Sequence, residues 1–343
     1  MQKNRIAWLD KLKGVGIIAV VFGHALISDI REASFFAETM YKMIYFFHMP
    51  LLMFCSGYAY TKYSSNNYGR RYIGKKFKKL MIPYIVYSVA VVCVFQVLSM
   101  IPITGSILAR MGIQLGGLLG LVKDLLLATN RYATHLWYIY ALFLFYCVHP
   151  VLERFLKKEL IVVLALLLYL IKGHWDFSSL TILHNFFSMY LWFVLGCYFD
   201  GEAIIKSKAR MLPCAILGLS ISFGYELVFI FYLQGTESWL KYVWLLCTIA
   251  ARLLCIYSLF LLFQNDDSRQ TFFLAYLGKY SFSIYLFHQP FLCLCVVSVL
   301  RLFLGNVVAV AAGIATSICI PLGIESLFKR YISIKQLLKK GEN

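Results

Sequence analysis

The sequence predicts an all-α polytopic membrane protein with about ten transmembrane helices and both termini in the cytoplasm. Composition is the first observation: 61% of the 343 residues are hydrophobic and 14% are charged, whereas soluble domains are about 45–50% apolar. The second is that apolar runs able to cross a hydrocarbon core of about 30 Å recur along the whole chain. The third is the distribution of Lys and Arg. No stretch is left over for a soluble domain, so we expect residues 1–343 to form a single membrane domain.

Ten apolar runs define the predicted spans, at residues 14–29, 41–61, 81–101, 134–152, 159–174, 181–199, 211–232, 239–263, 281–303 and 306–328. The fifth is short for a full crossing, because its uninterrupted apolar part covers only residues 160–171. Residues 110–130 break the pattern of simple loops, with glycines among leucines. We expect that segment to lie at the outer interface or to re-enter the membrane.

The charges of the loops support this topology independently. With the N-terminus inside, 24 of the 33 Lys and Arg residues lie on the cytoplasmic side and eight lie outside, with Arg252 inside a span. A wrong helix count would invert the bias partway along the chain. Orientation alone also accounts for the net charge of +17, so we expect no nucleic-acid partner. The first span is not read as a cleaved signal peptide, because no small-x-small site follows it.

The cysteines indicate neither disulfides nor a metal. All ten fall within the predicted spans, where thiols usually act as small buried hydrophobes. The sequence contains no Cys-x-x-Cys pair and no Cys/His ligand spacing, so we expect no metal site.

Polar residues inside the spans are the candidates for function, because each costs a few kcal/mol in mid-bilayer unless it is paired or faces a cavity. Lys13 and His24 are eleven residues apart, which places them on one helix face, about 16 Å apart along the axis. His48 lies at a similar depth in the next helix, and Pro50 nearby removes a backbone donor. We expect both imidazoles to line one buried reaction chamber; the alternative is that they are packing residues.

Further candidates for substrate binding lie at the ends of spans, and for each of them a purely structural role is the alternative. A basic cluster that includes Arg71, Lys76 and Lys79 could bind the phosphates of a nucleotide-containing donor, or could only orient the chain and contact lipid headgroups. His135 and Trp137 could stack on a sugar, or belong to an aromatic belt. Ser281 and His288, seven residues apart on one face, could contact substrate or form a polar seam between helices.

Several segments occur in the order and spacing of a known family: "RIAWLDKLKGVGIIAVVFGHAL", "FFHMPLLMFCSGY", "KKFKKLMIPY", "THLWYIYALF" and "LGKYSFSIYLFHQPF". Together they resemble the integral-membrane acyltransferase 3 family, in particular its fucose 4-O-acetylase-like polysaccharide O-acetyltransferase branch. The resemblance covers essentially the whole chain. Its most specific elements are the pair Lys13 and His24, the segment around His48, and the segment from Ser281 to His288.

The resemblance implies a multi-pass enzyme of the bacterial inner membrane that takes an acetyl group from cytoplasmic acetyl-CoA. The acceptor would be a hydroxyl of a glycan or of a lipid-linked sugar of the envelope, the capsule or an exopolysaccharide. His24 corresponds to the family's essential histidine. The family's Arg-x-x-Arg motif corresponds to Lys76 and Lys79, which keep the charge but lose the bidentate fork of arginine. Leu52 and Met53 replace a pair of phenylalanines.

Elementary chemistry is consistent with these roles. A sugar hydroxyl is a poor nucleophile, and a neutral imidazole can accept its proton as a thioester is attacked. The sequence therefore predicts His24 as general base, His48 beside it, and Lys13, Arg71, Lys76 and Lys79 around the donor. A polytopic transporter or flippase is the alternative, but the chain has no internal repeat, and we expect only two buried charges, Glu226 and Arg252.

Overall fold

The structure, a computed structural model, describes residues 5–64, 69–102, 118–127, 129, 133–174, 181–201, 208–233, 240–264 and 271–341. Within these ranges the regular secondary structure is entirely helical, as predicted. The α-helices are α1 Ala7–Ala25, α2 Ser28–Glu32, α3 Phe35–Ser64, α4 Arg70–Lys76, α5 Ile82–Met100, α6 Leu118–Leu127, α7 Trp137–Phe155, α8 Lys158–His174, α9 Thr181–Cys197, α10 Lys208–Val228, α11 Leu240–Phe263, α12 Phe272–Lys279, α13 Ser281–Phe287, α14 Val296–Leu304 and α15 Asn306–Gly341.

Six stretches of the described chain are long and apolar enough to cross a membrane: Arg70–Met100, Thr134–Phe155, Met211–Tyr232, Tyr242–Phe263, Ser281–Leu304 and Asn306–Tyr331. Thr181–Cys197 is a shorter apolar helix. The other predicted spans also fall on helices, α1, α3 and α8, but α1 carries Asp10, Lys11 and Lys13 in its first turns. The chain is therefore a multi-pass helical membrane protein, while the count of ten and the orientation of the termini stay predictions.

Several helices differ from the predicted spans in ways that affect the candidate sites. The basic cluster is not a loop: α4 and a π-helical turn, Phe77–Met81, continue directly into α5. A second π-helical turn, His288–Cys295, interrupts the span that begins at Ser281, and Gln289 within it has non-helical backbone angles. Of residues 110–130, Leu118–Leu127 forms helix α6, and most of the remainder lies outside the described residues.

The chain divides into two compact units. The terminal unit consists of Arg5–His48 and Leu259–Asn343, and the central unit contains Met49–Ser258. The boundary in the first half of the chain falls inside α3, one residue before Pro50.

In the terminal unit, α1 packs closely along α12. A Cβ atom on Gly14 would collide with the carbonyl of Leu274, and one on Gly278 would collide with the carbonyl of Asp10. Small residues allow such close approach of backbones, which is the usual way that helices associate in lipid. Gly305, which joins α14 to α15, has a φ of 77°, a conformation that favours glycine. The close packing fixes α1, and with it the position of His24.

In the central unit, the second half of α3 makes a similar contact with α9. Cβ atoms on Gly57 and Gly196 would collide with the carbonyls of Phe193 and Phe54. The Thr61 hydroxyl donates to the carbonyl oxygen of Cys197 at 2.7 Å. The central unit therefore has its own glycine-mediated helix pair.

The cysteines of the described chain are free thiols. Cys55, Cys197, Cys255 and Cys293 are buried, as expected. The expectation is wrong for three others, because Cys93, Cys214 and Cys319 are exposed on apolar helices, whose outer faces would meet lipid.

Candidate active site

Helix α1 carries both Lys13 and His24. The helix is continuous from Ala7 to Ala25, so the eleven-residue spacing places the two side chains on one face, as helical geometry requires. Both side chains are partly buried. At the start of the helix, Asp10 accepts two hydrogen bonds from Arg5, at 2.7 and 2.9 Å. This bidentate ion pair holds the carboxylate of Asp10 at the beginning of the helix.

His24 belongs to a group of aromatic rings that come from three parts of the terminal unit. The centroid of its imidazole lies 5.1 Å from that of His288 and 6.2 Å from that of Tyr45. Tyr45 in turn lies 4.7 Å from His48, edge to face. We call His24, Tyr45, His48 and His288 the histidine cluster. It joins residues that are far apart in the sequence, and three of the four, His24, His48 and His288, were predicted as candidates from the sequence.

The three imidazoles of the histidine cluster differ in their hydrogen bonds. His48 Nδ1 lies 2.7 Å from the Ile44 carbonyl oxygen, and His288 Nδ1 lies 2.7 Å from that of Tyr285. Because a carbonyl only accepts, each Nδ1 carries the proton, and Nε2 of each neutral ring carries the lone pair. Both rings are nearly inaccessible to solvent, at 2% and 0%. None of the described residues forms a hydrogen bond with His24.

A second row of side chains extends from Tyr45 to α2. The ring of Tyr41 lies 4.0 Å from that of Tyr45, and the Arg31 guanidinium lies 3.9 Å above the Tyr41 ring. Arg31 donates to Glu38 at 3.1 Å, and Lys42 lies 3.6 Å from the same carboxylate. The histidine cluster is therefore connected, through neighbouring aromatic rings, to a partly exposed group of charges.

Apolar packing surrounds the histidine cluster. The buried core of this region is formed by Ala19, Ala25, Leu26, Ile30, Ala37, Ile44, Cys293, Val297 and Ala309. A Cβ atom on Gly23 would lie only 3.0 Å from the Tyr45 ring, so α1 and α3 approach closely beside His24. An electrostatic interaction is stronger in such surroundings than in water, which suits a site for proton transfer.

The predicted donor residues lie in the central unit, except Lys13. Arg71 and Lys79 are exposed, whereas Lys76 is partly buried. The Lys76 ammonium lies 3.7 Å from the centroid of the Tyr146 ring and 3.2 Å from the Ser64 hydroxyl. The residues present fit an anionic group, because three cations lie on one short helix and the turn that follows it.

The residues predicted to bind the acceptor are dispersed. His135 is buried in a short 3₁₀ helix, Thr134–Leu136, with its ring centroid 6.2 Å from that of Tyr87. Trp137 begins α7 beside it and is partly exposed. Both belong to the central unit. Ser281 begins α13 in the terminal unit, and of these four residues His288 is the one that contacts His24. The structure thus associates His288 with the histidine cluster.

The structure also contains a polar network that the sequence analysis did not single out. In the central unit, His149 Nδ1 lies 3.0 Å from the Tyr190 hydroxyl, and Nε2 lies 3.4 Å from Glu153. The Tyr60 hydroxyl donates to the other carboxylate oxygen of Glu153 at 2.6 Å. We call these four residues the His149 network. One signal was readable, because His149 and Glu153 are four residues apart and therefore adjacent on one helix face.

Within the described part of the chain, no group of three or more His, Cys, Asp or Glu side chains has the arrangement of a metal site.

Comparisons with known proteins agree with the motifs. Residues 6–325 match the family described as "Acyltransferase domain" (Acyl_transf_3). Nodulation protein NolL of Sinorhizobium fredii (strain NBRC 101917 / NGR234) is 38% identical over 82 residues, which make up 23% of this chain and 22% of that protein. The alignable part is thus about a fifth of each. No solved structure matches the chain. Because the family match covers nearly all of the sequence, the prediction from the motifs is confirmed: the chain belongs to the acyltransferase 3 family of membrane acyltransferases.

Proposed function

We propose that this member of the family transfers an acetyl group from acetyl-CoA to a hydroxyl of an envelope glycan or a lipid-linked sugar, with His24 as the general base. We further propose that the two units form one functional domain in the bacterial inner membrane. The observation that carries the proposal is the contrast within the histidine cluster. His48 and His288 are fixed by carbonyls of their own helices, whereas His24 forms no hydrogen bond with a described residue and so has both ring nitrogens available for a substrate.

The proposed reaction needs a group that accepts the proton of the attacking hydroxyl and later gives a proton to the departing thiolate. The acceptor hydroxyl attacks the thioester carbonyl carbon while His24 takes the hydroxyl proton. The tetrahedral intermediate then collapses, the C–S bond breaks, and the imidazolium returns the proton to the departing thiolate of coenzyme A. His24 ends neutral, so the cycle is balanced without a covalent intermediate on the enzyme.

The neighbouring rings would assist His24 by stabilising its protonated form and by fixing the orientation of its imidazole. His288 lies next to His24, and its neutral Nδ1–H tautomer presents a lone pair at Nε2. Such a ring can stabilise a protonated neighbour. Tyr45, between His24 and His48, restricts the orientation of both. We propose positioning roles for Tyr45 and His288, and a position in the reaction chamber for His48.

The donor is proposed to bind through its phosphates at Lys76, Lys79 and Arg71, with Lys13 on the same face of α1 as His24. Several cations close together attract a polyanion more strongly than one cation does. His135, Trp137 and Ser281 stay proposals for contacts with the acceptor sugar. Aromatic and hydroxyl side chains suit the apolar faces and polar edges of a sugar ring.

The experiment that tests this function uses the purified full-length chain in nanodiscs, supplied with acetyl-CoA labelled in the acetyl group. The acceptor is envelope glycan extracted from cells that lack the gene. We expect release of coenzyme A together with labelled O-acetyl groups on the glycan. A protein that releases no coenzyme A, but moves glycan or lipid-linked precursor across the bilayer, would instead support the transporter alternative.

A further inference from the structure

Lys76 is held in a cradle of aromatic rings on the central unit. Its ammonium lies 3.7 Å from the centroid of Tyr146 and 5.3 Å from that of Tyr72. It also donates to the Ser64 hydroxyl at 3.2 Å. An ammonium has three N–H donors. One is directed to Ser64 and one faces a ring, so a third remains for a ligand, and the partial exposure of Lys76 leaves the ammonium accessible to an anion.

Tyr72 supplies a second, unused donor beside this ammonium. The residue is only 8% exposed, and its hydroxyl oxygen forms no hydrogen bond with any described residue. Buried hydroxyl groups are nearly always paired, because leaving one unpaired costs free energy. Tyr72 and Lys76 are four residues apart in α4, so their side chains lie on the same face. The unpaired hydroxyl and the partly exposed ammonium therefore belong to one face of α4, with the ammonium 5.3 Å from the centroid of the Tyr72 ring.

We propose that the Tyr72 hydroxyl and the Lys76 ammonium together bind one phosphate group of the acyl-CoA donor, and that Tyr146 is a positioning residue that holds the ammonium in place. This inference rests on the donor named in the proposed function. Phosphate oxygens accept readily from both kinds of donor. A lysine binds phosphate as a point charge, without the two parallel hydrogen bonds of arginine, and the Tyr72 hydroxyl would supply the second bond.

The test measures the affinity of coenzyme A for the full-length protein in nanodiscs of neutral lipid, so that no anionic headgroup competes. Tyr72→Phe removes only the hydroxyl, and we expect it to weaken binding roughly tenfold, as for one hydrogen bond to a charged group. Tyr146→Leu removes the ring under the ammonium, and we expect a loss of roughly three- to tenfold. Tyr146→Phe keeps a ring face and should bind nearly as wild type.

A matched control and a second readout separate this role from a structural one. Tyr140→Phe makes the same change on α7, where the hydroxyl donates to a carbonyl of Leu126 at 3.2 Å, and should leave the affinity unchanged. Tyr72→Phe should not lower the unfolding temperature without coenzyme A, because the hydroxyl it removes has no described partner. Wild-type affinity for coenzyme A in Tyr72→Phe would overturn the inference while leaving the donor assignment intact. A wild-type protein that binds no coenzyme A would contradict both.

Discussion

His149 in the central unit and His24 in the terminal unit are both histidines in apolar helices, yet their ring nitrogens are used differently. Both nitrogens of His149 have a polar neighbour, Tyr190 on one side and Glu153 on the other, and its ring is fully buried. His24 is partly exposed, and its described contacts are with other rings, His288 and Tyr45. A buried histidine whose two ring nitrogens both face polar side chains of the protein is suited to stabilise a fold. One with open nitrogens is suited to bind and move a proton.

Substitutions in the two regions should therefore have different effects: changes at the histidine cluster should alter catalysis, and changes at the His149 network should alter stability.

The largest effect is expected from His24→Ala. Loss of a positioned general base typically reduces a rate by about 10²- to 10⁴-fold. We expect that loss in the transfer of labelled acetyl groups, with insertion, the unfolding temperature and coenzyme A affinity close to wild type. An active His24→Ala protein would remove the distinction between the two histidines.

The second prediction concerns the cations of the central unit. Changing both Lys76 and Lys79 to Ala should raise the KM for acetyl-CoA roughly tenfold or more at low salt, because two charge-assisted contacts to phosphate are lost. Changing both to Arg should preserve or lower the KM, since the charge is kept and a bidentate fork is added. An unchanged KM in the double-Ala protein would mean that these lysines only orient the chain in the membrane.

A smaller effect is expected at Tyr45, whose ring separates His24 from His48. Tyr45→Leu removes the aromatic contacts, which are worth about 0.5–1.5 kcal/mol, so turnover should fall roughly two- to tenfold with little change in donor KM. Tyr45→Phe keeps the ring and should retain most of the turnover. Equal losses in both variants would show that the hydroxyl, and not the ring, is what the site requires.

The smallest effect on catalysis is expected from the His149 network. His149→Ala removes the buried partner of the Tyr190 hydroxyl and leaves Glu153 with Tyr60 as its remaining partner in the network, which should lower the free energy of unfolding by about 1–3 kcal/mol. The rate of transfer per folded molecule should stay within a few-fold of wild type. Thermal unfolding and single-turnover assays on the same preparation measure both quantities. A stable but inactive His149→Ala protein would place this network in the reaction as well.

The helices were largely predictable from the sequence, because long apolar runs in a membrane have to form helices to satisfy their backbone groups. Within the described residues, most of each predicted span is helical. The interruptions were not predictable in the same way. The π-helical turn at His288–Cys295 depends on packing between helices, and hydropathy carries no information about it. The helical state of the basic cluster was not predictable from composition, because charged residues between two apolar spans are equally typical of a loop.

The candidate site was predictable in its members but not in its contacts. The free-energy cost of a polar side chain in the bilayer identified His24, His48 and His288 one by one. The similar depth of His24 and His48 in consecutive spans suggested that these two side chains converge. The contact of His24 with His288 joins residues in different halves of the chain, which spacing along a helix cannot indicate. Tyr45 was not recognised, because one tyrosine in an aromatic-rich span looks like packing until its neighbours are known.

The most direct test of the central claim is the rate of acetyl transfer by His24→Gln, measured across a range of pH beside His149→Gln. Glutamine retains hydrogen bonding but cannot accept a proton. We predict that His24→Gln is nearly as inactive as His24→Ala, and that His149→Gln keeps a rate that falls with decreasing pH, as in wild type, when protonation removes the base. A His24→Gln protein that transfers acetyl groups at close to the wild-type rate would contradict the account, and the base would have to be sought at His48 or His288.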